Sequence, residues 1–144
     1  MVGSCPAGSR ILDTYALYIR AEFAAAHHLR EYDGNCERLH GHNWKVDVVL
    51  RGHTLDRLGM LMDFRDAKRL IHDALGRFDH TCLNGVEPFD RMNPTTENIA
   101  RNLYETLASR LPEGVSVATV TAWESDGCGA SYGRPALSGA EGLV

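Results

Sequence analysis

His40 and His42 flank Gly41, and Cys36 stands four residues ahead of His40. On an extended strand, side chains two residues apart project from one face, so both imidazoles can converge on one metal ion. A third nitrogen is available from His27 or His28, at the end of the preceding apolar segment. Three neutral imidazoles with a fourth position open is the pattern of a catalytic zinc centre, whereas structural centres are closed by four ligands rich in thiolate. A surface turn carrying two solvated histidines has the same His-Gly-His spelling, so the motif alone does not decide. Cys36 adds a thiol that spacing leaves open as a fourth ligand, a base or nucleophile, or an inert loop residue. Cys5, Cys82 and Cys128 are scattered without a Cys-x-x-Cys pair and read as inert thiols, with no structural disulfide.

The elements that must position these groups follow from periodicity. Between Arg10 and Ala26, Ile11, Tyr15, Leu17 and Ile19 alternate partly with polar neighbours, predicting a strand with Phe23 near its far end. Its Ala24-Ala25-Ala26 run suits a helix equally. A polar loop over 30–38, with Asp33-Gly34-Asn35 as a turn signal, leads through Leu39 and His40-Gly41-His42 into a strand with Trp44, Val46, Val48 and Leu50 in strict period two. Phe64, Ala67, Leu70, Ile71, Ala74, Leu75 and Phe78 recur at helical spacing, with Asp63 or Asp66 suited to the positive N-terminal end. Asn93-Pro94-Thr95-Thr96-Glu97 supplies the loop, cap and first-turn acid of a second helix, whose apolar face is Ile99, Leu103, Leu107 and Leu111 and which Pro112 and Gly114 end. Val115, Val117, Thr119 and Thr121 then alternate toward Trp123-Glu124, followed by a Gly-rich turn and a last strand near Ala130-Ser131-Tyr132. This order predicts an α+β fold in one domain over 1–144, with a core at about 10–134 and loose tails. Two helices would cover one face of a four-stranded antiparallel sheet whose edges are left for oligomerisation.

Composition narrows the partners. The 144 residues are 44% hydrophobic and 24% charged, ordinary globular usage, and the net charge of −4 supplies no global field for nucleic acid or anionic lipid. No apolar run approaches the roughly 20 residues that span a bilayer, and the N-terminus lacks a secretory pattern, so a soluble cytoplasmic protein is expected.

Several motifs recur in order over about residues 10–134: Phe23-x-x-Ala26-His27-x-Leu29, Cys36-x-x-x-His40-Gly41-His42, Asp63-Phe64, Asp79-His80-x-x-Leu83-Asn84, Asn93-Pro94-Thr95-Thr96-Glu97 and the late Glu124. Together they resemble the 6-pyruvoyl-tetrahydropterin synthase family, and within it the 6-carboxy-tetrahydropterin synthase branch of queuosine biosynthesis. The resemblance implies a tunnelling fold that oligomerises into a barrel, as a trimer or a dimer of trimers. It implies Zn2+ held by His27, His40 and His42, with Cys36 as general base and Asp79 with His80 as a proton-handling pair. Glu124 would anchor the pterin and join the relay, and Thr95, Thr96 and Glu97 would lie in the substrate-binding segment. The implied activity is a lyase that converts 7,8-dihydroneopterin triphosphate to 6-carboxy-5,6,7,8-tetrahydropterin, acetaldehyde and triphosphate. The alternatives are a 6-pyruvoyl-tetrahydropterin synthase, which leaves the side chain uncut, a non-catalytic pterin- or metal-binding protein, and a zinc hydrolase. Three residues between Cys36 and His40, rather than five, favour the carboxy branch.

Physical expectations accompany those roles. A carboxylate can accept two parallel hydrogen bonds from the amino and ring N–H groups of a pterin edge, which suits Glu124. Asp79 and His80 are adjacent and would diverge on a regular helix, so the first helix should end near Phe78 for them to act together. His53 and His72 read as surface residues.

Overall fold

The computed structural model describes residues 13–134. The tails, Cys5 and the Ile11 end of the predicted first strand lie outside the described residues. β1 (Tyr15–His27) pairs antiparallel with β2 (His40–Gly52) in unbroken register, from Tyr15 opposite Gly52 to His27 opposite His40. The alanine run is strand, because each alanine has a partner in β2, and tertiary pairing overrides the helical preference of alanine. After β2 come α1 (Phe64–Gly76), β3 (Thr81–Cys82), α2 (Thr96–Ala108), β4 (Ser116–Ser125) and β5 (Cys128–Gly133).

The sheet runs β3-β1-β2-β4-β5. It has five strands where four were expected, and it is not wholly antiparallel. β3 runs parallel to β1 beside Ala25 and Ala26. Two residues cannot display an alternation, so this strand leaves no periodic trace in the sequence.

Alternation explains which side of the sheet the helices cover. Ile19, Phe23 and Ala25 of β1 and Trp44, Val46, Val48 and Leu50 of β2 are buried in one cluster with Ala67, Ile71, Ala74 and Leu75 of α1 and Ile99, Leu103 and Leu107 of α2. The Asp63 carboxylate caps α1 by accepting from the Arg65 N–H at 2.8 Å, and the Thr95 hydroxyl caps α2 by accepting from the Asn98 N–H at 3.1 Å. Each cap contributes about 1 kcal/mol. α1 closes on the Leu75 carbonyl, which accepts from the N–H groups of both Phe78 and Asp79. The helix thus stops at Gly76, close to the expected point, and Asp79 and His80 leave it.

Leu83, Phe89 and Pro94, in the irregular segment before α2, are also fully buried. Periodicity gave no core there, since an irregular chain buries residues without a repeating interval. Among the described residues, no helix is long and apolar enough to cross a membrane.

Candidate metal centre and active site

The β1–β2 register places His27 opposite His40, and β2 carries His42 on the same face. Ligand atoms of His27, His40, His42 and Glu124 all lie within 4.8 Å of one another. The three ring centroids are 4.6, 4.7 and 5.1 Å apart. Trp44, fully buried, meets His27 and His42 edge to face at 5.1 and 5.3 Å and stacks on Phe23 at 5.8 Å. An aromatic floor therefore backs the rings.

Backbone acceptors fix two of the tautomers. His27 Nδ1 lies 2.8 Å from the Pro94 carbonyl oxygen, and His40 Nδ1 lies 2.7 Å from that of Arg38. A carbonyl only accepts, so both Nδ1 atoms carry hydrogen and both Nε2 lone pairs are free. The Nε2 atoms of His27 and His42 are buried without a hydrogen-bond partner. A buried ring nitrogen left in that state is costly unless a ligand takes its lone pair, which is the fit expected of a metal site. Burial, the foremost cause, lowers the pKa of both His27 and His42 and favours the neutral, metal-ready form.

Glu124 ends the core-facing alternation of β4. Its Oε1 lies 3.1 Å from His42 Nε2, without hydrogen-bond geometry, and its Oε2 accepts from the Thr96 hydroxyl at 3.1 Å. The carboxylate thus stands at the margin of the histidine cluster, steadied by the first residue of α2. Donors of this kind, three imidazoles and a carboxylate, suit zinc and other divalent transition metals.

The pattern of the 6-pyruvoyl tetrahydropterin synthase family matches residues 16–135. The chain belongs to that family. A 6-carboxy-5,6,7,8-tetrahydropterin synthase from Bacillus subtilis is 41% identical over 93 residues, 61% of this chain and 62% of the relative. A dihydroneopterin monophosphate aldolase from Pyrococcus furiosus is 35% identical over 107 residues, 74% of this chain and 87% of the relative. Among solved structures, the 6-pyruvoyl tetrahydropterin synthase of Caenorhabditis elegans is 28% identical with a TM-score of 0.76, covering 86% of this chain and 98% of that one.

The other residues named by the resemblance to the synthase family lie on several different elements. Thr95, Thr96 and Glu97 open α2, with Thr96 on Glu124. Asp79 and His80 form a close pair, Oδ1 to Nδ1 at 2.9 Å, at the edge of β1. Asp79 Oδ1 also accepts from the Ala24 N–H at 2.9 Å, which foremost holds its carboxyl below the ordinary value. His80 takes a left-handed backbone, φ 59°, and its N–H donates to the Ala24 carbonyl at 2.6 Å. Cys36 is half-buried in a single 3-10 turn, Asn35–Glu37, and is outside the four side chains whose ligand atoms converge. Spacing left Cys36 open as a fourth ligand; the structure instead brings Glu124, expected as the pterin anchor, up to the three histidines. Cys36, Cys82 and Cys128 are all free thiols.

His27 rather than His28 enters the cluster. The signal was present in the sequence: Phe23, Ala25 and His27 keep one face, and His28 falls on the other. Missed altogether were Trp44 as the backing of the rings and the Pro94 carbonyl as the partner of His27.

Proposed function

We propose that this chain is a cytoplasmic, zinc-dependent lyase of queuosine-precursor synthesis. It takes 7,8-dihydroneopterin triphosphate and water to 6-carboxy-5,6,7,8-tetrahydropterin, acetaldehyde and triphosphate. The carrying observation is the convergence of three imidazoles and Glu124, with the Nε2 atoms of His27 and His42 buried and without hydrogen-bond partners, in a chain of this family. The three-residue interval between Cys36 and His40 and the name of the Bacillus subtilis relative support the carboxy product.

His27, His40 and His42 would hold the zinc ion, which when bound serves as a Lewis acid on side-chain oxygens of the substrate and acidifies neighbouring C–H bonds. Glu124 accepts hydrogen bonds from the amino and ring N–H groups of the pterin, and the Thr96 hydroxyl fixes the direction in which the carboxylate points. Thr95 and Glu97 belong to the same substrate-binding turn. Cys36 removes and returns side-chain protons as the general base. His80, oriented by Asp79, handles the remaining protons.

His80 is 82% exposed at its side chain, and its adjoining cleft, of about 390 Å³, is lined by Ala25 and His42 as well as by Ala24, Ala26, Gly41 and Asn43, the last four of which alternate away from the histidine cluster. A neighbouring copy in a trimer or dimer of trimers is therefore the recipient we assign to the Asp79–His80 pair.

The test is an anaerobic incubation of zinc-loaded protein with 7,8-dihydroneopterin triphosphate, following pterins by mass spectrometry and acetaldehyde by a coupled assay. Carboxytetrahydropterin with acetaldehyde is expected. Pyruvoyltetrahydropterin without acetaldehyde would move the chain to the pyruvoyl reaction. Cleavage of dihydroneopterin monophosphate alone would move it to the reaction named for the Pyrococcus furiosus relative. Absence of turnover with pterin binding retained would leave a binding protein.

A further inference from the structure

The outer edge of β1 continues beyond the strand itself. The Ala24 N–H and carbonyl are taken by the Asp79 carboxylate and the His80 N–H, and Ala26 faces β3. Two and four residues further on, the partners are side-chain amides. Asn84 Oδ1 accepts from the His28 N–H at 2.9 Å, while its Nδ2 donates to the His28 carbonyl at 3.0 Å. Asn93 Oδ1 accepts from the Arg30 N–H at 2.8 Å, while its Nδ2 donates to the Arg30 carbonyl at 3.1 Å. Each asparagine therefore does what a peptide group of an adjacent strand would do.

These two brackets enclose one bond of the candidate metal centre. Asn84 grips His28, the residue after His27, and Asn93 immediately precedes Pro94, whose carbonyl accepts from His27 Nδ1. Donor and acceptor are thus each tied down one residue away. The Asn93 carbonyl is itself held by the Asn98 side chain of α2 at 2.9 Å. The Arg30 guanidinium binds the carbonyls of Asn84, Phe89 and Met92 at 3.2, 2.8 and 3.2 Å, closing the same loop from inside.

We propose that Asn84 and Asn93 are positioning residues for the metal ligand His27. They set the separation of His27 from the Pro94 carbonyl and so the tautomer and aim of its Nε2. The proposal rests on the metal reading of the histidine cluster. Partners that orient a ligating histidine typically carry 10- to 100-fold in metal affinity, because a ring free to turn offers its lone pair only part of the time.

The test is zinc affinity by competition with a chromophoric chelator, together with the melting temperature of the metal-free protein, for Asn84→Ala, Asn93→Ala and the remote core variant Ile71→Val. Both asparagine variants are expected to lose about 10- to 100-fold in zinc affinity. Ile71→Val should lower the melting temperature and shift affinity by less than about twofold, since distant sites act independently. Asn84→Asp and Asn93→Asp keep the acceptor oxygen and lose the donor. They should fall between, and they serve if an alanine variant does not fold. Wild-type affinity in the asparagine variants, or an equal loss in Ile71→Val, overturns the proposal while the metal reading stands. A wild-type chain that takes up no zinc overturns both.

Discussion

One face of β2 holds two kinds of burial. At one end, Leu50, Val48 and Val46 are about 1% exposed among apolar neighbours, and every contact they make is satisfied by being apolar. At the other end the same alternation passes through Trp44 to His42 and His40, opposite the 2% exposed His27. There the Nε2 atoms of His42 and of His27 on β1 are buried without hydrogen-bond partners. The first arrangement stabilises the fold by removing surface from water; the second gives up stability to keep lone pairs available. The difference separates two properties that substitution should pull apart.

The largest effect is expected for His40→Ala. Metal analysis after zinc loading should fall from about one ion per chain to trace, because a centre of three protein nitrogens does not survive as two. Its metal-free melting temperature should change little. Leu50→Ala should do the reverse, costing about 2–5 kcal/mol by denaturant titration through lost burial and a residual cavity, with zinc content per folded chain retained. A variant that moved both properties together at either end would join the two halves of the face into one unit.

The pair His27→Ala and His28→Ala sharpens the boundary between the halves. The first should lose zinc. The second should keep it, since Asn84 holds the backbone of residue 28 and not its side chain. Next in size is Thr95→Ala, which removes the cap on α2 and should cost about 1 kcal/mol. Because Thr95 precedes Thr96 and the Glu124 contact, its effect on pterin binding, read by calorimetry, should exceed that of Asp63→Ala, an equivalent cap on α1 away from the cluster.

How much of this was legible depended on whether a residue's role is local. Trp44 to Leu50 announce a strand because each position repeats the last, and His40 and His42 simply extend that rhythm. The Asp63 and Thr95 caps are legible for the same reason, since a cap bonds two or three residues away. β3 was invisible because two residues have no period. Asn84 and Asn93 stand in recognisable motifs, yet their bonds reach residues 56 and 63 positions away and leave no local pattern. The five-stranded order likewise depends on a chain returning to β1 from a distance.

The smallest effect lies on the opposite face of β2, where alternation points Asp47 away from the histidines. Asp47 takes Arg20 at 2.6 Å and the Trp123 indole N–H at 3.1 Å. The hydrogen bond from Arg20 is the foremost cause holding its carboxyl below the ordinary range. A carboxylate with a folded pKa below its unfolded value of about 3.9 contributes stability above that value and loses it as pH falls through the folded one. The unfolded chain takes up the proton first, so acid pulls the equilibrium toward it. Denaturant midpoints of wild type and Asp47→Asn should therefore differ at neutral pH and converge below about pH 4. Added salt should shrink the neutral-pH difference, because Arg20 is 70% exposed at its side chain. Zinc content should be unchanged throughout the series at neutral pH, since the pair lies across the sheet from the ring nitrogens. A loss of zinc in Asp47→Asn would mean that the two faces of β2 are coupled through the strand and that the histidine end is not set by its own contacts alone.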